Sequence, residues 1–308
     1  MEKISMSQKL VAVDWGTSSL RGALINSDGT ALEKRAFPQG IMQVAHGQFQ
    51  NVFEQRFADW MTDDTLCLVS GMAGSRQGWR EAHYCPCPSG FEDIAQHLQW
   101  IEKDRIGIVP GLSTFNDSTP DVMRGEEIQI FGALSTLKIE TAQFVLPGTH
   151  SKWAHVLGGK ISQFKTFMTG EFYALLSQHS ILAKTCLPDA PLKKEVFLEG
   201  VMQSQKPGGL LHHAFSARSL ALFEKLNPAQ SSSYISGLLI GEEIQSAKSS
   251  MQSDSMPLFI LGNSQLTQRY AFAMDALGLS AQAVADEVTW SGLWALAHHL
   301  YPDHFKLS

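Results

Sequence analysis

Residues 9–35 read KLVAVDWGTSSLRGALINSDGTALEKR, and residues 143–167 read QFVLPGTHSKWAHVLGGKISQFKTF. Each stretch contains an apolar strand, a Gly-Thr turn, a second strand, a glycine turn and a third strand. This order predicts a three-stranded antiparallel meander in each stretch. One turn of this kind is ordinary in a hairpin, but two in meanders of the same plan indicate two related half-molecules.

The two Gly-Thr turns carry groups suited to phosphate. Glycine lets the backbone approach a ligand closely, and the hydroxyl and N–H groups that follow can donate hydrogen bonds to phosphate oxygens. A polyphosphate could therefore be held from both sides. The candidate residues are Gly16, Thr17 and Ser18 in the first turn, and Gly148, Thr149 and His150 in the second. The alternative for each turn taken alone is a plain strand–turn–strand, and His150 could equally well only pack.

Asp14 ends the first apolar strand, directly before the first Gly-Thr turn. Magnesium usually keeps several waters and uses one or two carboxylates together with substrate phosphates. We therefore expect Asp14 to orient a hydrated Mg²⁺.

Length and composition limit the class of protein. A chain of 308 residues with 44% hydrophobic residues predicts two globular domains. The net charge of −6, without a Lys/Arg-rich run, argues against nucleic acid as a partner. No stretch is apolar enough for a membrane span or resembles a signal peptide, and the four cysteines suit a reduced compartment, so we expect a cytoplasmic protein. The spacing of the cysteines is poor for a zinc site. A homodimer is left open.

Residues 121–137 have the pattern of a helix with Asp121 as its N-cap. Asp121 could serve only as that cap, and Glu127 could serve only to complement the helix dipole. Residues 228–233, PAQSSS, are predicted to be a surface loop.

Two domains that each begin with such a meander resemble the acetate and sugar kinase/heat-shock-70/actin superfamily. Three further features fit that resemblance: Asp121 before the second turn, the apolar strand that ends at Gly262-Asn263, and the final helix 291–300. The resemblance implies an α/β fold of two actin-like (ribonuclease H-like) domains, each a mixed sheet with flanking helices, around a central cleft. The expected domains are 1–134 plus 292–308, for acceptor and phosphates, and 135–291, for the nucleotide.

Within that superfamily the chain resembles the 2-dehydro-3-deoxygalactonokinases essentially from end to end. The motifs that carry this resemblance are GMAGSRQGW (71–79), DVMRGEEIQIFGA (121–133), LPGTHSKW (146–153), FKTFMTGE (164–171) and SGLLIGEE (236–243). Ile128 departs from the family pattern, in which we expect Thr.

The resemblance implies a reaction of galactonate catabolism, in which MgATP phosphorylates the 6-hydroxyl of 2-dehydro-3-deoxy-D-galactonate. Such transfer depends on positioning, charge neutralisation and proton acceptance. Asp121 would accept the hydroxyl proton, Lys152 would neutralise charge on the transferred group, and Gly262 and Asn263 would border adenosine.

The acceptor is a carboxylate, so we expect an arginine to bind it. Arg76 and Arg124 are the two candidates, and an ion pair of Arg124 with a glutamate of its own helix is the alternative. The remaining acceptor candidates are Trp79, Glu126, Thr169 and Glu171. Two rival functions stay open: a kinase of the same fold for another sugar or sugar acid, and a non-catalytic nucleotide or sugar sensor.

Overall fold

A computed structural model describes residues 9–63, 65–187, 189–248, 256–284 and 287–305. Two compact units divide these residues. Unit 1 takes those within Met1–Thr141, His155–Phe164 and Asp286–Ser308, and unit 2 takes those within Ala142–Ala154 and Lys165–Ala285. None of the helices in the described ranges has both the length and the apolar character needed to span a bilayer.

The strands alternate with helices in an α/β order. The strands are β1 (Lys9–Trp15), β2 (Leu20–Asn26), β3 (Ala31–Phe37), β4 (Leu66–Gly71), β5 (Cys85–Pro86), β6 (Gln99–Glu102), β7 (Ile106–Ile108), β8 (Leu112–Asn116), β9 (Thr119–Met123), β10 (Ala142–Leu146), β11 (Ser151–Leu157), β12 (Lys160–Phe167), β13 (Leu258–Leu261) and β14 (Gln282–Val284). The α-helices are α1 (Phe49–Phe57), α2 (Phe91–Gln96), α3 (Glu126–Leu137), α4 (Thr169–Ala174), α5 (Lys194–Ser204), α6 (Gly209–Leu222), α7 (Pro228–Lys248), α8 (Ser264–Ala276) and α9 (Val288–Leu300).

Unit 1 is built on a six-stranded sheet in the order β3-β2-β1-β4-β7-β6. The antiparallel pairs β1–β2 and β2–β3 confirm the first predicted meander. β1 also pairs in parallel with β4, and β4 with β7, so the carboxyl ends of these three strands lie at one edge. In open α/β sheets, ligands bind outside this edge.

The sheet of unit 2 has the order β12-β11-β10-β13-β14. This order repeats the first five strands of the unit 1 sheet: a meander followed by two added strands. β13 pairs in parallel with both β10 and β14. The duplication predicted from the two Gly-Thr stretches is therefore present in the topology.

Helices α5 and α7 pack at unusually short range in unit 2. A Cβ on Gly237 would lie only 1.9 Å from the carbonyl oxygen of Phe197, and one on Gly200 only 2.1 Å from that of Tyr234. Any larger residue would push the helices apart. Both glycines of the SGLLIGEE motif, Gly237 and Gly241, face this packing, because a Cβ on Gly241 would lie 2.3 Å from Ser204 Oγ.

Two expectations about helix starts are wrong. Asp121 lies in β9, in register with Thr114 of β8, so it does not cap the following helix. That helix begins at Glu126, and Gly125, with φ +105°, occupies the N-cap position. The segment 228–233 is not a surface loop but the start of α7, where Ser231, Ser232 and Ser233 are buried. The Ser232 and Ser233 hydroxyls accept backbone N–H groups of the preceding segment, which satisfies them inside the fold.

Candidate active site

Asp14 lies at the carboxyl end of β1, directly opposite Ser70 of the parallel strand β4. Its side chain is 17% exposed and forms an ion pair with Arg21 of β2. Gly71, with φ +91°, follows Ser70, and a Cβ there would lie 2.8 Å from the carbonyl oxygen of Trp15 and 3.2 Å from Oδ1 of Asp14. The fold therefore requires glycine beside this carboxylate.

The first Gly-Thr turn is held by backbone hydrogen bonds from the segment at Ile41 and Met42. The carbonyl oxygens of Gly16 and Thr17 accept N–H groups from Ile41 and Met42, while the Thr17 and Ser18 side chains are exposed. A Cβ on Gly16 would have only ordinary contacts, at 3.6 Å or more. Neither packing nor backbone conformation thus demands glycine at position 16, so the predicted close approach of a ligand stays the physical reason offered for it.

The second Gly-Thr turn shows the same feature. A Cβ on Gly148 would have no contact closer than 3.9 Å. The turn is held by the start of α4: the Glu171 N–H donates to the Thr149 carbonyl at 3.0 Å, and the Glu171 carboxylate lies 2.6 Å from Nε2 of His150. Gly170 fits against the turn so closely that a Cβ would lie 2.4 Å from the Gly148 carbonyl oxygen.

Gly262 and Asn263 follow β13, the parallel neighbour of β10. Gly262 has φ +153° and lies against Pro147. The Gly148-Thr149 turn after β10 and the Gly262-Asn263 turn after β13 therefore lie at the same edge of the sheet. Asn263 caps α8 by accepting the Leu266 N–H at 3.0 Å. Next to these turns is a largely apolar pocket, lined by Gly148, Thr169, Gly170, Tyr173, Ser236, Leu239, Ile240, Leu266, Arg269 and Tyr270.

The hydroxyl of Thr169 belongs to a buried network in unit 2. Glu243 accepts hydrogen bonds from Thr169, from Trp153 Nε1 at 2.7 Å and from Tyr270 OH at 2.6 Å. Burial raises the pKa of Glu243, and these donors oppose the shift. Lys152 is also buried, and its ammonium donates to Thr166 at 2.8 Å. Both predicted site residues therefore have internal partners in the ligand-free chain.

The two candidate arginines differ sharply. Arg76 is 85% exposed and pairs with Glu81. Arg124 is held over the Tyr84 ring at 4.5 Å and donates from Nη2 to the Ala82 carbonyl, while its Nε and Nη1 are buried without an acceptor. Within the described ranges no carboxylate pairs with the Arg124 guanidinium, so the alternative of a helix ion pair is wrong.

Trp79 lies in the aromatic core of unit 1, with its ring 5.2 Å from Phe53 and 6.0 Å from Trp15. It remains partly buried rather than fully enclosed. Its contacts are those of a core residue, and they leave its predicted role as an apolar wall for the acceptor untested.

Two glutamates begin α3 and bond the turn before it. Glu126 accepts the Arg124 N–H at 2.9 Å, and Glu127 accepts the Gly125 N–H at 2.7 Å through Oε2. Glu127 is fully buried, and neither its Oε1 nor the buried Ser70 hydroxyl has a partner among the residues that the structure describes. Burial, followed by the neighbouring Glu126 charge, raises the pKa of Glu127 to about 8. The sequence analysis gave Glu127 only a part in complementing the helix dipole, because its burial cannot be read from two acidic residues at a helix start.

No group of three or more His, Cys, Asp or Glu side chains that could hold a metal occurs among the residues described. A single carboxylate such as Asp14 is nevertheless the usual protein contribution to a hydrated Mg²⁺.

Comparison with known proteins identifies the family of this chain. The sequence model of the 2-keto-3-deoxy-galactonokinase family matches residues 14–296. The chain belongs to this family. It is 33% identical to the 2-dehydro-3-deoxygalactonokinase of Escherichia coli K12 over 294 residues, which cover 95% of this chain and 99% of the relative.

Solved structures support both the family and its fold. A crystal structure of a Sinorhizobium meliloti protein assigned to the same activity has a TM-score of 0.89 and 34% identity, covering 95% of this chain and 99% of that one. The activator of 2-hydroxyisocaproyl-CoA dehydratase from Clostridium difficile, with bound ADPNP, has a TM-score of 0.54 at 10% identity, covering 97% and 98% of the two chains. At that identity the likeness concerns the fold alone. The expected α/β fold of actin-like kinases is confirmed.

Proposed function

We propose that this protein transfers the γ-phosphoryl group of MgATP to the 6-hydroxyl of 2-dehydro-3-deoxy-D-galactonate, giving the 6-phosphate and ADP. The observation that carries the proposal is the family match over residues 14–296, which includes both Gly-Thr turns. The identity to the Escherichia coli enzyme along nearly the whole of both chains supports the same substrate.

For the nucleotide, the proposal rests on the edge of unit 2 where β10 and β13 end. The turn at Gly148, Thr149 and His150 would donate hydrogen bonds to phosphate oxygens. The adjacent apolar pocket, bordered by Gly262 and Asn263 before α8, would take the adenosine. Arg269 lies in the pocket wall and is held there by a hydrogen bond to Ser236 at 3.2 Å.

For magnesium, the residues present fit. Asp14 is a partly exposed carboxylate directly before the exposed turn of Gly16, Thr17 and Ser18. The hydrogen bond from Arg21 fixes the orientation of this carboxylate. When bound, Mg²⁺ supplies charge neutralisation of the phosphate oxygens.

For the acceptor, we propose that Arg124 binds the carboxylate. Two nitrogen atoms of the Arg124 guanidinium, Nε and Nη1, are buried without a partner among the described residues, which costs stability unless an anion completes them. Arginine is well suited to binding a carboxylate. Gly74 makes room for this arrangement, since a Cβ there would lie 2.7 Å from Nη1 of Arg124. Arg76, exposed and already paired, is the weaker candidate. Glu126, Thr169, Glu171 and Trp79 remain predicted acceptor contacts, Lys152 a predicted phosphate contact, and Asp121 the carboxylate predicted from sequence to accept the proton.

A coupled ADP-release assay tests this function. The purified chain would be supplied with MgATP and a panel of 2-keto-3-deoxy acids and neutral hexoses, and the position of the new phosphate would be assigned by ³¹P NMR. We expect efficient turnover with the C6 sugar acid and little with neutral hexoses. Equal turnover of neutral hexoses would favour a sugar kinase of the same fold, and binding of nucleotide without turnover of any acceptor would favour a sensor.

A further inference from the structure

Unit 1 contains a buried carboxyl group that the assignments above leave without a role. Glu127 is fully buried and accepts one backbone N–H, and within the described part of the chain its second oxygen has no partner. Glu243, the buried glutamate of unit 2, shows what a structural carboxyl looks like, because three side-chain donors satisfy it. Polar groups left unsatisfied inside a fold are costly and concentrate at functional sites.

The position of Glu127 places it at the predicted phosphate edge. Its carboxylate holds the N–H of Gly125. Gly125 touches the end of β4, since a Cβ there would lie 3.3 Å from Gly71 Cα and 4.0 Å from Ser70 Oγ. Gly71 in turn lies beside the Asp14 carboxylate. Two glycines, Gly125 and Gly71, thus lie between Glu127 and the carboxyl ends of β1 and β4.

We infer that Glu127, rather than Asp121, is the catalytic residue that accepts the proton of the acceptor hydroxyl. The inference rests on the kinase function proposed above. In the step, the hydroxyl O–H bond breaks and its proton passes to Oε1 of Glu127. The oxygen forms a bond to the γ-phosphorus of ATP, whose bond to the β,γ-bridging oxygen breaks to release ADP.

Asp121 is less suited to this task. It is half-buried in β9, and its Oδ1 accepts the N–H of its own neighbour Val122 at 2.7 Å. Glu127 has an oxygen without a hydrogen bond. In ligand-free enzymes the catalytic hydrogen bonds are often not yet formed, so the present burial of Glu127 is compatible with contact in the substrate complex.

The electrostatic surroundings also suit a proton acceptor. The charged neighbours of Glu127 on its own turn are Glu126 and Arg124, which act in opposite directions, and Asp14 with its partner Arg21 lies across Gly71. At Gly132 of α3, the close approach of α9 is made by the backbone of Val288 and Gly292. With a pKa raised to about 8, the carboxyl group is poised near the pH at which a general base works best.

The test compares Glu127→Gln, Glu127→Asp and Asp121→Asn with the wild type, using steady-state kinetics for both substrates from pH 5.5 to 9. We expect Glu127→Gln to lower kcat by about 10²- to 10⁴-fold with smaller changes in either KM. The wild-type kcat should rise with pH, and this rise should be absent from the residual activity of Glu127→Gln. Glu127→Asp keeps a carboxylate and should recover part of kcat, while Asp121→Asn should lose at least tenfold less than Glu127→Gln.

Circular dichroism and nucleotide binding by each variant would show that it is folded. A folded Glu127→Gln enzyme with wild-type kcat would overturn the inference. So would a fall in kcat that leaves the pH profile unchanged, because that result assigns Glu127 a structural part. If Asp121→Asn is the variant that loses turnover, Asp121 is the base. The wild type measured alongside tests the function itself, and its failure to phosphorylate any acceptor would overturn both proposals.

Discussion

Glu127→Gln should make the protein more stable at neutral pH although it removes a proposed catalytic group. In the folded state the buried carboxyl has a pKa raised from 4.5 to about 8. In the unfolded chain it returns to the ordinary value. Between these two pH values the folded state binds a proton that the unfolded state has released, so stability falls as pH rises. Gln has nearly the same shape and cannot ionise.

The magnitude follows from the two pKa values. Each pH unit above 4.5 costs about 1.4 kcal/mol until the folded-state group ionises near pH 8. At pH 7 the cost of keeping Glu127 is therefore about 3 kcal/mol, and it is close to zero below pH 4.5. The stability gained by Gln should grow with pH in the same way, apart from a constant offset from the packing of the amide.

Urea unfolding of both proteins, measured at half-unit steps from pH 5 to pH 8, would test this. Subtracting the wild-type free energy of unfolding from that of the variant cancels every other titrating group. The difference should increase by about 3 kcal/mol over the range. A difference that stays flat with pH would mean that Glu127 titrates normally, and the argument for its functional role would lose its electrostatic support.

Three further outcomes follow from the geometry. Arg124→Ala should raise the acceptor KM by on the order of ten- to a hundredfold and the ATP KM much less, since a charge-assisted hydrogen bond is typically worth about 1.5–3 kcal/mol. A larger effect of Arg76→Ala on the acceptor KM would contradict the choice of Arg124 as the carboxylate-binding residue. Gly148→Ala should have the thermal stability of the wild type but bind ATP more weakly. Gly170→Ala, whose Cβ would lie 2.4 Å from a carbonyl oxygen, should lose roughly 1–3 kcal/mol of stability. If Gly148→Ala were instead the less stable variant in thermal melts, the argument that Gly148 is there for a ligand would be refuted. Arg21→Gln should lower the Mg²⁺ concentration needed for half-maximal activity, because the competing cation is gone, and a higher requirement would show that Arg21 itself supports binding.

Local pattern was enough to predict the repeated part of the fold. The meanders at 9–35 and 143–167 depend on alternating apolar residues and on turns with glycine, so each is specified by neighbouring residues. The helix start at Asp121 was wrong because the segment also pairs with β8, a contact made across the chain fold. Gly125 followed by Glu126 and Glu127 is a better sequence signal for a helix start than Asp121, and these residues mark the actual start of α3.

Long-range contacts decide the site and could not be read from the chain. PAQSSS has a loop-like composition, but the serines are satisfied by backbone groups near Leu187 and Lys193. Arg76 has a carboxylate partner, whereas Arg124 is surrounded by the Ala82 carbonyl and the Tyr84 ring. No local rule of sequence predicts these surroundings of Arg124.

Two carboxyl groups at the same edge of the unit 1 sheet are treated in opposite ways by their surroundings. Asp14 is partly exposed and paired with Arg21, an arrangement suited to orienting a cation. Glu127 is fully buried near Ser70, whose hydroxyl also lacks a partner, and burial favours its neutral form. Phosphoryl transfer to a hydroxyl needs one permanent negative charge for the metal and one group that can change protonation. Different surroundings can divide these two tasks between the two carboxyl groups. On this argument, exchanging the environments, and not only the residues, would be required to exchange the roles.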